Sequence, residues 1–139
     1  MIKNIKKTKL IRYSTYSERN GSLIPFYTNK SFPKNFKIKR FFILYGKKNF
    51  SRADHAHTKC SQIIIPLSGQ IKVKVNSKKY QKTFLLNKKL KKALYVPPFN
   101  WITIYFKNND DSLLTLCNYK YDKKEYIINY QKFKKILLK

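Results

Sequence analysis

Apolar and polar residues alternate along much of this chain. Ile71, Val73 and Val75 are interleaved with Lys72, Lys74 and Asn76, the pattern of a strand with one face in a core and one in water. Runs rich in β-branched and aromatic residues predict further strands at residues 9–13, 37–45, 54–57, 62–67, 80–85, 93–96, 101–106 and 113–118. Turn formers separate them at Gly21-Ser22, 46–50, Asn87, Pro97-Pro98 and 108–111. Ser68-Gly69 predicts a tight hairpin joining 62–67 to 70–75. Many short strands at near-regular spacing predict an all-β sandwich or barrel. Only the end reads as helix. Asp122 and Glu125 have the spacing of a capping box, and Tyr126, Tyr130, Phe133 and Leu137 recur at helical intervals. A helix over 122–138 is predicted, its aromatic stripe packed on the core.

At 139 residues, 42% of them hydrophobic, the chain can bury one core. A single domain over 1–139 is predicted, opening with a basic segment over 1–17. Glycine numbers only 3, and no Gly-rich phosphate loop is present. The formal net charge of +26 would attract any polyanion. Only four of the 32 basic residues are Arg (Arg12, Arg19, Arg40 and Arg52), and the lysines are scattered from Lys3 to Lys139. Arg is the better reader of bases and phosphates, so a nucleic-acid-binding protein would rest on charge alone and no specific nucleic-acid partner is expected. The charge would still help capture a doubly charged nucleotide-sugar. Cys60 and Cys117 are too few for a disulfide framework and fit no zinc spacing, so they are expected as buried packing. No apolar run has the length of a signal peptide or membrane span, and a cytoplasmic protein without membrane contact is expected.

The chemistry concentrates in Arg52-Ala53-Asp54-His55-Ala56-His57, which holds both histidines of the chain. Two apart on a strand, His55 and His57 face the same interior and make either a metal site or a proton-transfer site. Their spacing to Gln62 and Gly69 reproduces the first metal motif of a cupin barrel, His-x-His, four residues, Glu, six residues, Gly. The second motif, Pro-x-Gly-x-x-His, falls on Pro97 to Ile102. Gln62 thus replaces the ligand Glu, Ile102 the third ligand His, and Asn49 an upstream Gly. A divalent metal wants His nitrogens plus an anionic oxygen, and no third His exists, so no bound metal is expected. Neutral imidazole can instead accept a proton near pH 7 and return it. The six carboxylates are Glu18, Asp54, Asp110, Asp111, Asp122 and Glu125. Apart from Asp54, which by parity faces away from His55, they fall in loops or at the helix start. The histidines are therefore the leading proton carriers, with a Tyr hydroxyl as assistant. Arg52 either forks onto an enediolate or diphosphate or is a surface residue at a strand end.

From about Glu18 to Ile136 the sequence resembles the small single-cupin sugar 3,4-ketoisomerases, the WxcM-like proteins. The resemblance is carried by Arg19-Asn20-Gly21-Ser22-Leu23, by the stretch 36–44, by Arg52-x-x-His55-Ala56-His57, and by Gln62 with Leu67-Ser68-Gly69. Tyr95-Val96-Pro97-Pro98 with Trp101 extends it, and Tyr121-Asp122-x-x-Glu125-Tyr126-Ile127-x-Asn129-Tyr130-x-x-Phe133 closes it. It implies an all-β single cupin jelly roll with a short C-terminal helix, free of metal and cofactor, forming a homodimer whose subunits exchange strands. It also implies a dTDP-linked 4-keto-6-deoxy sugar as substrate, whose keto group moves from C4 to C3. The product would feed a PLP-dependent aminotransferase making 3-amino sugars for bacterial surface polysaccharides and S-layer glycans. His55 would be the base, with His57 and Arg52 beside it. Gln62, Arg40, Trp101 and Asn100 stand in the matching motifs as candidate substrate-binding residues. The chain departs from the family at Ala53, usually Gly; at Ile102, usually the His of Trp-His; and at Phe42-Ile43, often a Tyr pair. The alternatives are a nucleotide-sugar epimerase and a non-catalytic nucleotide-sugar-binding cupin, the latter favoured by Ile102 and Phe42.

Overall fold

The computed structural model describes residues 4–139. Among these residues the strands are β1 (Lys9–Arg12), β2 (Tyr16–Glu18), β3 (Gly21–Leu23), β4 (Arg40–Tyr45), β5 (Ser51–His57), β6 (Gln62–Ser68), β7 (Gln70–Asn76), β8 (Gln81–Asn87), β9 (Lys92–Val96), β10 (Trp101–Phe106), β11 (Ser112–Cys117) and β12 (Tyr126–Ile127). One α-helix, α1 (Tyr130–Leu138), follows. Two five-stranded sheets, ordered β1-β9-β6-β11-β4 and β12-β5-β10-β7-β8, pack as the expected jelly roll, and β2 and β3 form a separate hairpin. No helix among the described residues is long and apolar enough to cross a membrane.

Burial explains which strands alternate and which do not. β7 points Ile71, Val73 and Val75 into the core between the sheets and leaves Lys72 in water. β6 runs through Ile63, Ile64 and Ile65 without a break because its sheet is covered on both faces. Ile64 joins the inter-sheet core with Val73, Ile102 and Leu113. Ile63 and Ile65 face outward beneath Phe26, Phe32 and Phe36 of the strandless stretch before β4. Each fully buried isoleucine contributes about 1.5–3 kcal/mol, so this short run anchors both layers.

Three expectations change. Ser68-Gly69 is a corner rather than a hairpin, since β6 and β7 lie in different sheets. Gly69 has φ 72, and a Cβ there would lie 2.0 Å from the Asp111 carboxyl group. That carboxylate accepts the N–H groups of Gln70 (3.2 Å) and Asn108 (3.0 Å), bracing the corner. The strand expected from Lys37 begins at Arg40, because Phe36 is still held in the aromatic cover. The helix expected over 122–138 begins at Tyr130, capped by Asn129 Oδ1 on the Lys132 N–H. Asp122 caps only a single 3₁₀ turn, Lys123–Glu125. Tyr126 and Ile127 then pair with His57 and Ala56 of β5. Phe133 and Leu137 of α1 cover Ala56, Trp101 and Ile127.

Candidate active site

A bulge in β5 shapes the site. Against β10, Arg52 pairs with Ile104 and Ala53 with Thr103, but Ile102 pairs with His55, leaving Asp54 in excess. Ala53 (φ 71) and Asp54 (φ 52) both take the left-handed conformation. In a regular strand, residues three apart face opposite sides. The extra residue resets the parity, so Arg52 and His55 both line the same cavity. The glycine positions of the motifs acquire a reason as well. Asn49, in place of the upstream Gly, has φ 70, a conformation that Asn tolerates better than most residues.

The cavity, of about 430 Å³, lies between the sheets and falls within the size range of small-molecule sites. His55, Arg52, Asp54, Ser51, Gln62 and Thr115 form its polar wall, and Phe42, Leu44, Ile64, Ile102 and Ile104 its apolar wall. Ile102, the strand partner of His55, presents a hydrocarbon where the second motif has a histidine. His55 is therefore the one imidazole among the lining residues.

Behind His55 lies a row of polar contacts. His55 Nδ1 donates to the Ala53 carbonyl (2.9 Å), which leaves Nε2 as the basic nitrogen. That Nε2 is 3.1 Å from Nε2 of His57, a residue only 4% exposed. His57 Nδ1 donates to Glu125 Oε1 at 2.5 Å. The other Glu125 oxygen accepts the backbone N–H groups of Thr58 (3.2 Å), Lys59 (3.1 Å) and Cys60 (3.2 Å). Burial lowers the pKa of His55, against the hydrogen bond to Ala53 and the Glu125 charge. Burial, and then the charge of His55, bring His57 down to about 4 against the pull of Glu125. Both shifts favour uncharged rings, and a proton on one ring disfavours a second on the other. The first proton would lie between the two Nε2 atoms, with Glu125 as its counter-charge.

The Tyr126 ring packs on both imidazoles, with centroids 5.1 Å from His55 and 4.3 Å from His57. Its hydroxyl accepts from Arg40 Nη2 at 2.8 Å, and burial raises its pKa. Arg40 is thus engaged with Tyr126, its guanidinium also over Phe42 and Tyr121, and it is not among the residues that line the cavity. Gln62 lines the cavity wall, its amide donating to Cys117 Sγ at 3.6 Å. Asn100 and Trp101 are not retained as substrate contacts. The Asn100 amide is 1% exposed and fully engaged, accepting from Tyr80 and Thr8 and donating to the carbonyls of Lys6, Pro97 and Pro98. Trp101 points the opposite way from Ile102 and packs on Tyr130 and Phe133 beneath α1. Glu125 and Tyr126 are the residues that sequence reasoning missed. Their signal was an acid beside a tyrosine in an aromatic run, hidden by its likeness to a capping box.

A metal fits this donor set poorly. A ring nitrogen of His57, Cys60 Sγ and a Glu125 oxygen lie within 4.8 Å of one another. Zinc bonds of about 2.0–2.3 Å would require drawing these atoms inward and breaking the His57–Glu125 bond. The neighbouring Cys117 sulfur, and then burial, push the Cys60 thiol up, away from the thiolate a metal needs.

Known proteins share this arrangement of sequence and fold. The TDP-4-oxo-6-deoxy-alpha-D-glucose-3,4-oxoisomerase of Aneurinibacillus thermoaerophilus is 29% identical over 134 residues, 96% of this chain and 94% of its own length. The WlaRB TDP-quinovose 3,4-ketoisomerase of Campylobacter jejuni is 32% identical and superposes with a TM-score of 0.82 over 93% of this chain and 98% of that one. A histidine-to-asparagine mutant of the 3,4-ketoisomerase QdtA from Thermoanaerobacterium thermosaccharolyticum, in complex with TDP-4-keto-6-deoxyglucose, gives a TM-score of 0.86 at 26% identity. That match covers 96% of each chain. The model of the FdtA family (WxcM-like, C-terminal) matches residues 6–137, and the chain belongs to that family.

Proposed function

We propose that the protein converts dTDP-4-keto-6-deoxy-D-glucose into a dTDP-3-keto-6-deoxyhexose. The observation that carries this reading is His55 on the cavity wall, its Nδ1 committed to Ala53 and its Nε2 backed by His57 and Glu125. His55 Nε2 removes the proton on C3. The C3–H electron pair becomes the C3=C4 bond, and the carbonyl pair moves to O4, where Arg52 stabilises the enediolate. The C3 hydroxyl proton passes to O4, a carbonyl forms at C3, and the double-bond pair takes the proton back from imidazolium at C4. No electrons leave the sugar, so the chemistry requires no cofactor. The apolar wall of Phe42, Leu44 and Ile64 suits the methyl group of a 6-deoxy sugar.

The test is NMR of the purified protein with that nucleotide-sugar in D2O. A 3-keto product should accumulate, with deuterium at the exchanged carbon. Deuterium entry with the keto group still at C4 would indicate an epimerase instead. Tight binding with a silent spectrum would indicate a binding protein.

The active unit is proposed to be a homodimer. Strand β4 is an edge strand, and its outward residues Phe41, Ile43 and Tyr45 are 69%, 51% and 64% exposed. A second copy exchanging strands would cover them, which fits the apolar character of permanent interfaces. Light scattering coupled to gel filtration should give twice the 16.7 kDa chain mass, and a monomer mass would exclude the dimer.

A further inference from the structure

We propose that Asp54 is a positioning residue, whose carboxylate clamps the β5 bulge and so fixes which nitrogen of His55 carries the proton. The catalytic consequence rests on the isomerase reading above, whereas the clamp itself does not.

The bulge needs holding. Two consecutive residues in the left-handed region cost roughly 1–2 kcal/mol each for an ordinary L-residue, and somewhat less for Asp. Ala53 has no polar atom beyond Cβ with which to compensate its φ of 71. Asp54 supplies the compensation from both sides. Its Oδ1 accepts from Thr103 Oγ1 (3.0 Å), on the residue of β10 that pairs with Ala53. Its Oδ2 accepts from Ser51 Oγ (2.9 Å), on the near side of the bulge. The peptide held between these two arms is the one whose carbonyl accepts the His55 Nδ1–H. In an unbulged antiparallel strand that carbonyl would be directed sideways into the ladder rather than back at a side chain two residues on.

The clamp therefore acts on the ring at one remove. With Nδ1 committed as a donor, the lone pair of His55 is forced on to Nε2, the nitrogen next to His57. Released from Ala53, the ring would sample both tautomers, and the basic nitrogen would be misplaced for part of the time. Glycine at position 53 would reach the same backbone conformation without steric cost, so this chain depends on Asp54 more than a chain with Gly there.

The experiment is ¹H–¹⁵N correlation of imidazole nitrogens in protein labelled at histidine, where two residues give four resolvable ring nitrogens. The wild type should show His55 protonated at Nδ1. Asp54→Ala should show a mixture of tautomers and a kcat lower by about ten- to a hundredfold. Asp54→Asn, which keeps an acceptor for one hydroxyl and offers an N–H to the other, should recover most of both signals. Ala53→Gly added to Asp54→Ala should also restore the Nδ1–H tautomer. A folded Asp54→Ala protein with His55 still fully protonated at Nδ1 would overturn the proposal. Should Asp54→Ala fail to fold, Ser51→Ala and Thr103→Val each remove one arm and are read the same way. The tautomer is measured without substrate, so it decides the clamp even if the protein turns over a different sugar.

Discussion

Replacing His55 with Asn is expected to lower kcat by about a thousandfold, while KM for the nucleotide-sugar changes by less than about threefold. The asparagine amide can still donate towards the Ala53 carbonyl, so the slot stays filled and the bulge has no reason to relax. What disappears is the basic nitrogen. Ile102 leaves the neighbouring strand without a second imidazole, and Gln62 and Thr115, on the opposite sheet, are neutral groups that do not titrate usefully near pH 7. A thousandfold loss corresponds to a barrier higher by about 4 kcal/mol, the magnitude of a lost general base rather than a lost contact. Steady-state kinetics on the purified variant, with circular dichroism to show a native fold, provide the test. A variant keeping more than about a tenth of wild-type kcat would remove His55 from the role of base.

That His55 could be singled out in the sequence, while its supports could not, has a physical explanation. Strand β7 and the two-residue spacing of the histidines are local patterns, set by the period of the backbone itself. The supports are set by partners far along the chain. Glu125 carries the spacing of a helix cap, but its carboxylate binds a histidine 68 residues earlier, and the helix starts later as a result. Ser68-Gly69 reveals that the chain must turn, whereas its destination in the opposite sheet depends on Asp111. Arg52 and His55, three residues apart, should face opposite ways. Only the bulge puts them together, and Ala at position 53 conceals the positive φ that Gly would have suggested. Asn100 matched a motif position near the site, yet its amide is consumed by the turn that it stabilises.

The second large effect is expected at Glu125, a residue that never touches the cavity. Glu125→Gln should lower kcat by about a hundredfold and move the acid limb of the kcat/KM profile to lower pH. The glutamine oxygen can still accept the N–H groups of Thr58, Lys59 and Cys60, so its NH2 group is turned towards His57. Two donors cannot face each other, and His57 must shift its proton from Nδ1 to Nε2. That N–H then points at the lone pair of His55 and occupies the base before substrate arrives. The direction of the pH shift follows from the same contacts. Burial lowers both imidazoles from 6.5, and the nearby Arg40 charge lowers them further, while the Glu125 charge raises both. Asp54 and the Ala53 carbonyl also raise His55, and Tyr126 packs on both rings; all three are unchanged by the substitution. Removing the Glu125 charge leaves the lowering effects less opposed, so the inactive protonated pair forms only at lower pH. Glu125→Ala is the poorer test, because it strands the backbone donors and costs stability of about 1–3 kcal/mol through a route unrelated to catalysis. A fully active Glu125→Gln enzyme, or one whose acid limb moved upward, would show that His57 and Glu125 merely fill space. The proton would then belong to His55 alone.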